Sequence, residues 1–271
     1  MSVYRRKKSS TSPVLVAGSV LAALTVIVGA VWLLWKSNTQ ETFDKVTLCP
    51  SSGSKGQFVV LIDNTSPFPF TQKAALKQRL KDMVVKDLPS GALLTVFLLG
   101  EDYKHNGDPV FEKCNPGQWV EGEGLTKTKK FVDKDFNEKF LRPLEAVVNR
   151  IPLDSRGKTS PIFEMLQMAS INGFNHQNAM GEKHLIIFSD MAANTGDFSM
   201  YRNAQLNYKD FAKTGYYQKA VAPSLIDVSV TINMMTAEPN AAPFVKRSEF
   251  WAQYFSANGA ILESVNPMEG L

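Results

Sequence analysis

The chain has 271 residues, 44% of them hydrophobic and 21% charged, with a formal net charge of +4. That is an ordinary globular composition, long enough for one large domain or two small ones. Arg5, Arg6, Lys7, Lys8 and Lys36 flank one apolar segment, and without them 25 basic residues face 26 acidic ones. The excess charge therefore belongs to the N-terminal tail and gives no electrostatic case for a nucleic-acid partner.

No charged residue occurs from Pro13 to Trp35. As a helix, these roughly 23 residues would rise about 34 Å, enough for the hydrocarbon core of a bilayer. The rival is a cleaved signal peptide, whose apolar region normally runs about 7–15 residues. This run is longer, and Trp32 and Trp35 stand where an interfacial aromatic belt would lie. Small residues such as Ala22-Ala23 and Gly29-Ala30 leave cleavage open. Four basic residues precede the run and only Lys36 follows closely. The positive-inside tendency then puts the N-terminus in the cytoplasm and the rest of the chain in periplasm or extracellular space. Residues 36–56, polar and rich in Ser, Thr, Asn and Gly, read as a tether.

The two cysteines, Cys49 and Cys114, invite a disulfide in an exported domain. Such a bridge closes a loop of about 65 residues, worth roughly 4 kcal/mol on the chain-entropy model. No CxxC, HExxH or zinc-ligand spacing is present, and His105, His176 and His184 are scattered. Lys127, Lys129 and Lys130 make a small basic knot that reads as a solvated loop.

From residue 57 onward, strand and helix patterns alternate. Phe58–Ile62 is a continuous apolar run, as in a parallel strand buried on both faces, and it stops at Asp63-Asn64-Thr65-Ser66-Pro67. The spacing of Leu76, Leu80, Met83 and Val84 predicts a helix over Thr71–Lys86, ended by Pro89-Ser90-Gly91. Ala92–Leu99 reads as a strand and Val110–Lys113 as a short edge strand. Phe136–Ile151 reads as a helix in which Pro143 predicts a kink, or a start nearer Leu141. At Thr159-Ser160-Pro161, Ser160 reads as an N-cap with Pro161 first in the helix, and Arg156-Gly157-Lys158 lacks the glycine spacing of a phosphate loop. His184–Ser189 is another buried strand ending in Asp190. A long loop over 191–224, with a short helix near Gln205–Lys213, leads to a strand at Ile226–Met234. A helix at Arg247–Ala257 and a strand at Ala260–Val265 close the chain. The expected fold is α/β, a doubly wound, mostly parallel sheet over residues 57–271. It follows a basic tail (1–12), one transmembrane helix (13–35) and the tether (36–56).

Three polar clusters sit at element boundaries: Asp63 and Thr65 after the first strand, Thr159 and Ser160 before a helix, and Asp190 after a central strand. In a parallel sheet all three meet at one edge. Two carboxylates with hydroxyls make a hard, oxygen-rich set suited to Mg²⁺, Mn²⁺ or Ca²⁺ rather than zinc. Alternatively they only cap turns and helices.

The arrangement resembles the von Willebrand factor A domain family over about residues 57–266. The family's Asp-x-Ser-x-Ser stands here as Asp63-Asn64-Thr65-Ser66-Pro67. Its threonine before a helix matches Ser160-Pro161, with Thr159 as fallback, and its Thr-Asp-Gly matches Ser189-Asp190-Met191. Phe250-Trp251, Phe255 and Gly259-Ala260 look like the family's last helix and strand. The resemblance implies a metal-ion-dependent adhesion site in which Thr65 and Ser160 bind the ion directly. Asp63 and Asp190 hold waters and balance charge, and an acidic residue of a partner protein completes the coordination. Pro67, which brings no hydroxyl, makes the motif degenerate; Ser66 compensates only if the turn is re-aimed. The implied function is protein binding or assembly without chemistry. The alternatives are a metal-assisted hydrolase using the same edge and a metal-free structural subunit of an envelope complex. No GxSxG motif or nucleophile–base pair marks an enzyme; Asp154/Ser155 and Asp197/Ser199 are only pairs any chain of this length offers.

Overall fold

The computed structural model describes residues 13–38, 42–102, 107–120, 128–154, 156–176, 179–201, 206–222 and 225–268. Arg5, Arg6, Lys7, Lys8, His105, Lys127, Ser155 and Gln205 lie outside the described residues. Two compact units are present, Met1–Thr42 and Phe43–Leu271.

The first unit contains helix α1, Pro13–Asn38. Every side chain from Ala22 to Leu33 is exposed; the polar groups among them are the Thr25 hydroxyl, which bonds the Ala22 carbonyl at 2.8 Å, and the Trp32 indole N–H. That stretch is otherwise apolar all round. Among the described residues, no helix is long and apolar enough to cross a membrane. The side chains described without a break in α1 are those of 22–33 only, and the span expected at 13–35 is not established by them.

The second unit is built on a six-stranded sheet of order β3-β2-β1-β4-β5-β6. Its strands are β1 Gln57–Asp63, β2 Leu93–Leu99, β3 Phe111–Cys114, β4 Lys183–Ser189, β5 Val228–Met234 and β6 Ile261–Pro267. All neighbours pair parallel except the short edge strand β3, which is antiparallel to β2. The doubly wound, mostly parallel sheet expected from the alternating patterns is thus present. Every residue of β1 is buried, because both faces of the sheet are covered there. Val59 and Leu61 point into one core with α5 (Ile162–Phe174) and α8 (Phe244–Ala257). Val60 and Ile62 point into the other, with α2 (Phe70–Asp82) and α4 (Arg142–Arg150). The first core is rich in aromatics, with Phe163 stacked on Phe211 at 4.9 Å and tilted against Trp251 at 4.8 Å.

Several boundaries differ from the expected ones for identifiable reasons. The helix expected from Phe136 begins earlier, with α3 at Lys129–Asp135. It runs through a π-helical stretch at Phe136–Leu141 into α4. Pro143 cannot donate to the carbonyl four residues back, and the widened turn lies just before it. A second π-helical turn, Met83–Asp87, closes α2. Ser160 is not the N-cap of α5: Pro161 holds that position and the helix starts at Ile162. The Ser160 backbone instead pairs with Asn194 in an isolated bridge. The long connection after β4 carries two short helices, α6 Tyr208–Phe211 and α7 Tyr217–Ala220.

The folded unit begins at Phe43, so the boundary expected between 56 and 57 falls inside it. Phe43 bridges Pro50, and Asp44 Oδ1 accepts from Val46 N (2.9 Å) and Thr47 N (2.6 Å). Cys114 N donates to Thr47 O at 2.8 Å, and Cys49 is disulfide-bonded to Cys114 with Cα atoms 4.8 Å apart. The expected disulfide is therefore present, and it ties residues 43–50 over the edge strand β3. An open sheet edge is otherwise a template for unwanted pairing.

Candidate functional site

The order of the sheet places the site. The chain winds from β1 outward to β2, returns across the sheet to β4, and then winds the other way to β5 and β6. The winding reverses between β1 and β4, and side chains just beyond their C-terminal ends line the crevice where α/β sheets bind ligands. β1 ends in Asp63, and β4 is followed by Asp190. Because Ile62 pairs with Phe188 in parallel register, both carboxylates emerge at the same edge.

Asp63 is fully buried, and both its oxygens are engaged. Oδ1 accepts from Thr65 N at 2.8 Å and lies 2.7 Å from Thr65 Oγ1, while Oδ2 accepts from Ser189 Oγ at 2.6 Å. Thr65 Oγ1 is also 2.9 Å from Ser160 Oγ, so a single hydroxyl joins the first cluster to the second across a long stretch of chain. Asp190 Oδ1 accepts from Ala192 N at 2.9 Å, and Oδ2 lies 3.2 Å from Ser66 Oγ. The four residues expected to form the site, Asp63, Thr65, Ser160 and Asp190, are thus brought to one place. The fallback hydroxyl of Thr159 is not among those contacts; its backbone N–H donates to Glu101 Oε1 at 2.9 Å.

Ser66 brings a hydroxyl to Asp190 where Pro67 cannot, the re-aimed turn that such compensation requires. Sequence reasoning passed over several other residues that build this site. Ser189 bonds Asp63 and accepts from Met191 N at 2.8 Å. Met191 has φ +55, a left-handed conformation costing a side chain roughly 1 kcal/mol or more. Its carbonyl accepts from Trp251 Nε1 at 2.8 Å, and its side chain is buried, which holds the conformation in place. Arg247, almost fully buried, donates through Nη1 to the Asp190 carbonyl. Gly157 N donates to Thr65 O at 2.7 Å, and a Cβ on Gly157 would stand 3.0 Å from Thr159 O and 3.2 Å from Thr65 Cβ. The Arg156-Gly157-Lys158 turn is therefore a backbone clamp on Thr65. Of these residues, Ser66, beside Pro67, and Ser189, beside Asp190, carried a signal in the sequence.

Burial dominates the electrostatics. It raises the Asp63 carboxyl to about 7; the charge of Asp190 adds to the rise, and the bonds from Ser189 and Thr65 oppose it. Burial also raises Asp190, against the Ala192 N–H and the Arg247 guanidinium. Burial lowers Arg247, opposed by Asp190. Two facing carboxylates with one buried guanidinium leave negative charge undercompensated when both are ionised. The Asn64 Oδ1 atom is a further buried acceptor without a hydrogen-bond partner among the described residues. An oxygen-only set of two carboxylates and three hydroxyls fits a hard divalent cation. Among the described residues, no group of three or more His, Cys, Asp or Glu is placed to hold a metal, so hydroxyls and water would have to supply the rest.

No protein-family model matches the chain, and no curated protein matches it. Similar solved structures include the SpRpn10 VWA domain, at 11% identity and TM-score 0.38, covering 79% of this chain and 86% of that one. BatB from Bacteroides thetaiotaomicron is similar at 10% identity and TM-score 0.38, over 80% and 92% of the two chains. The human COPII-coat protein Sec24c is similar at 12% identity and TM-score 0.45, over 79% of this chain and 30% of that one. By its strand order, and by the convergence of Asp63, Thr65, Ser160 and Asp190 at the point where the winding reverses, the domain has a von Willebrand factor A-like fold.

Proposed function

We propose that the chain is a single-pass membrane protein that presents its α/β domain outside the cytoplasm and binds another protein through the Asp63–Asp190 edge. The observation that carries the binding reading is the hydrogen-bonded convergence of Asp63, Thr65 and Ser160, with Asp190 facing them through Ser66. A Mg²⁺ or Mn²⁺ ion would be held there by the Thr65 and Ser160 hydroxyls, with Ser66 in the place that Pro67 cannot fill. Asp63 and Asp190 would act through water, and a carboxylate of the partner would complete the shell. The anchor reading is supported by the uncharged run from Pro13 to Trp35 and by the helix that contains it. The disulfide supports an oxidising compartment for the domain.

The test is capture of partners from membranes by the full chain, with and without chelator, beside Asp63→Asn. Chelator-sensitive capture that Asp63→Asn abolishes is the expected result. A reporter fused after Leu271 that is active only in the cytoplasm would overturn the orientation.

A metal-free binding surface is the second reading. It is favoured by Arg247, whose guanidinium already brings positive charge beside Asp190. Capture indifferent to chelator selects it. An enzymatic role has less support: His184 stacks on Phe58 near the starts of β4 and β1, the sheet edge away from the site. A broad hydrolytic screen of the full chain bears on this directly.

A further inference from the structure

The sheet edge opposite the site has its own surface. β1 and β2 begin there, paired at Gln57 and Leu93, and Leu93 in turn faces Cys114 of β3. Cys49 is bonded to Cys114, so residues 43–50 lie at this edge. Seven residues of strand put it roughly 20 Å from the Asp63 end.

Large apolar side chains stand open here. Phe43 is 51% exposed, Val46 74% and Phe131 69%. Phe43 and Phe131 line one cavity of about 540 Å³ together with Leu48, Pro116 and Lys139. Lys45, Lys129 and Lys130 are exposed beside these residues in the chain, and Lys129 Nζ sits 5.3 Å over the Trp119 ring. Asp135 also lines the cavity, where it pairs with Lys139 at 2.8 Å, so among the described residues the amines unmatched by a carboxylate are those at the rim. Aromatic side chains interleaved with lysines suit the headgroup level of a bilayer, where rings lie at the apolar boundary and amines meet phosphates. Chain length supplies a separate argument. From Asn38, the end of α1, to Phe43 the chain reaches at most roughly 18 Å even fully extended. If α1 is inserted in a bilayer, Phe43 cannot leave the neighbourhood of the headgroups.

We propose that Phe43, Val46 and Phe131, with Lys45, Lys129 and Lys130 around them, form a lipid-contacting face on which the domain rests, leaving the Asp63–Asp190 edge turned away from the membrane. The inference rests on the anchor reading above. It adds that one face of the domain contacts lipid. Exposed apolar area of this kind otherwise favours self-association, and the bilayer would cover it.

The experiment places a photoreactive p-benzoylphenylalanine at position 131 of the full chain, reconstituted in phosphatidylethanolamine–phosphatidylglycerol vesicles. Position 70 is the control: Phe70 is 85% exposed, and it opens α2 just beyond the site end of β1. Flotation with vesicles at alkaline pH reports the anchor separately. The expected result is flotation of both variants, with lipid adducts at 131 several-fold above those at 70. Flotation with equal adducts at the two positions overturns the lipid-contacting face and leaves the anchor standing. Crosslinks from 131 to protein in place of lipid also overturn it, in favour of a protein contact. A chain that does not float removes the anchor, and the inference with it.

Discussion

The two edges of the sheet are made by the same strands and solve opposite problems. At the edge where β1 and β2 start, a covalent bond and an edge-covering segment hold the chain, and the exposed surface is apolar. At the edge where β1 and β4 end, no covalent constraint acts, and buried carboxylates are held by hydroxyls and backbone N–H groups. The first edge gains stability from restricting the unfolded chain. The second gives some up, because Asp63 is placed where its ionised form is disfavoured. Stability is concentrated at one end and buried charge at the other, and the proposed display function would use that division.

The comparison breaks most visibly at the disulfide. Replacing both Cys49 and Cys114 with Ser should cost about 4 kcal/mol, since the bridge joins residues 65 apart in sequence. Urea unfolding reads the loss. The cation response of the variant, if the metal reading holds, should stay unchanged, because the site lies at the other edge. Loss of that response together with stability would mean the edges are not independent.

Asp63→Asn should act in the opposite direction. The Asp63 carboxyl titrates at about 7 in the folded chain against about 3.9 unfolded, so the native state holds the extra proton between those values. Its favourable contribution is full below about pH 4 and is lost as pH rises through about 7. In chelator at pH 8, Asp63→Asn should therefore be more stable than wild type, by up to about 4 kcal/mol, less whatever hydrogen bonding to Thr65 and Ser189 the amide loses, with a flatter pH profile. Millimolar Mg²⁺ or Mn²⁺ should raise the wild-type melting temperature, increasingly so above pH 7 where the carboxylates are ionised, and leave the variant unmoved. A wild-type protein indifferent to both ions at pH 8 selects the metal-free reading.

Gly157→Ala sharpens the picture of the clamp. The new Cβ would meet Glu101 Cγ at 2.9 Å and the Thr159 carbonyl at 3.0 Å. The flexible Glu101 side chain can move, but the carbonyl cannot, and a cost of about 1–2 kcal/mol is expected. Partner capture should weaken along with it as Thr65 shifts. Unaltered thermal stability would show that the turn is looser than the Gly157–Thr65 bond implies.

The smallest effect is expected at Ser66→Ala. A half-buried hydroxyl at 3.2 Å contributes under about 1 kcal/mol to stability. Its value is diagnostic. If Ser66 supplies the ligand that Pro67 lacks, the Mg²⁺-induced melting shift should fall while the stability in chelator barely changes. An undiminished shift would remove Ser66 from the coordination shell.

Much of this molecule was legible without its structure. The continuous apolar run Phe58–Ile62 signals a strand covered on both faces, and strands alternating with amphipathic helices signal a parallel sheet. Polar residues at strand ends then mark the edge of interest. Pairing Cys49 with Cys114 followed from their number and the exported topology expected from the uncharged N-terminal run. Each of these is a local pattern, repeated along the chain or forced by chemistry with few alternatives.

Other features arose only where distant segments meet. Ser160 looks like a helix cap by local rule, yet its backbone is taken by Asn194 and its hydroxyl by Thr65. Residues 43–50 look like a leash by composition, yet a disulfide and the Thr47–Cys114 bond make them part of the fold. Ser66 rather than Pro67 faces Asp190 because the turn after β1 is shaped by the Gly157 and Leu153 segments packing over it. Arg247 reaches Asp190 from a helix near the other end of the chain, and no spacing rule announces that. The sequence by itself determined the strands, the helices and which carboxylates stand at strand ends, because periodicity and turn chemistry act over a few residues. Only the tertiary structure decided which hydroxyls meet those carboxylates and how far their charge is buried. Both depend on contacts between segments that a linear pattern does not relate.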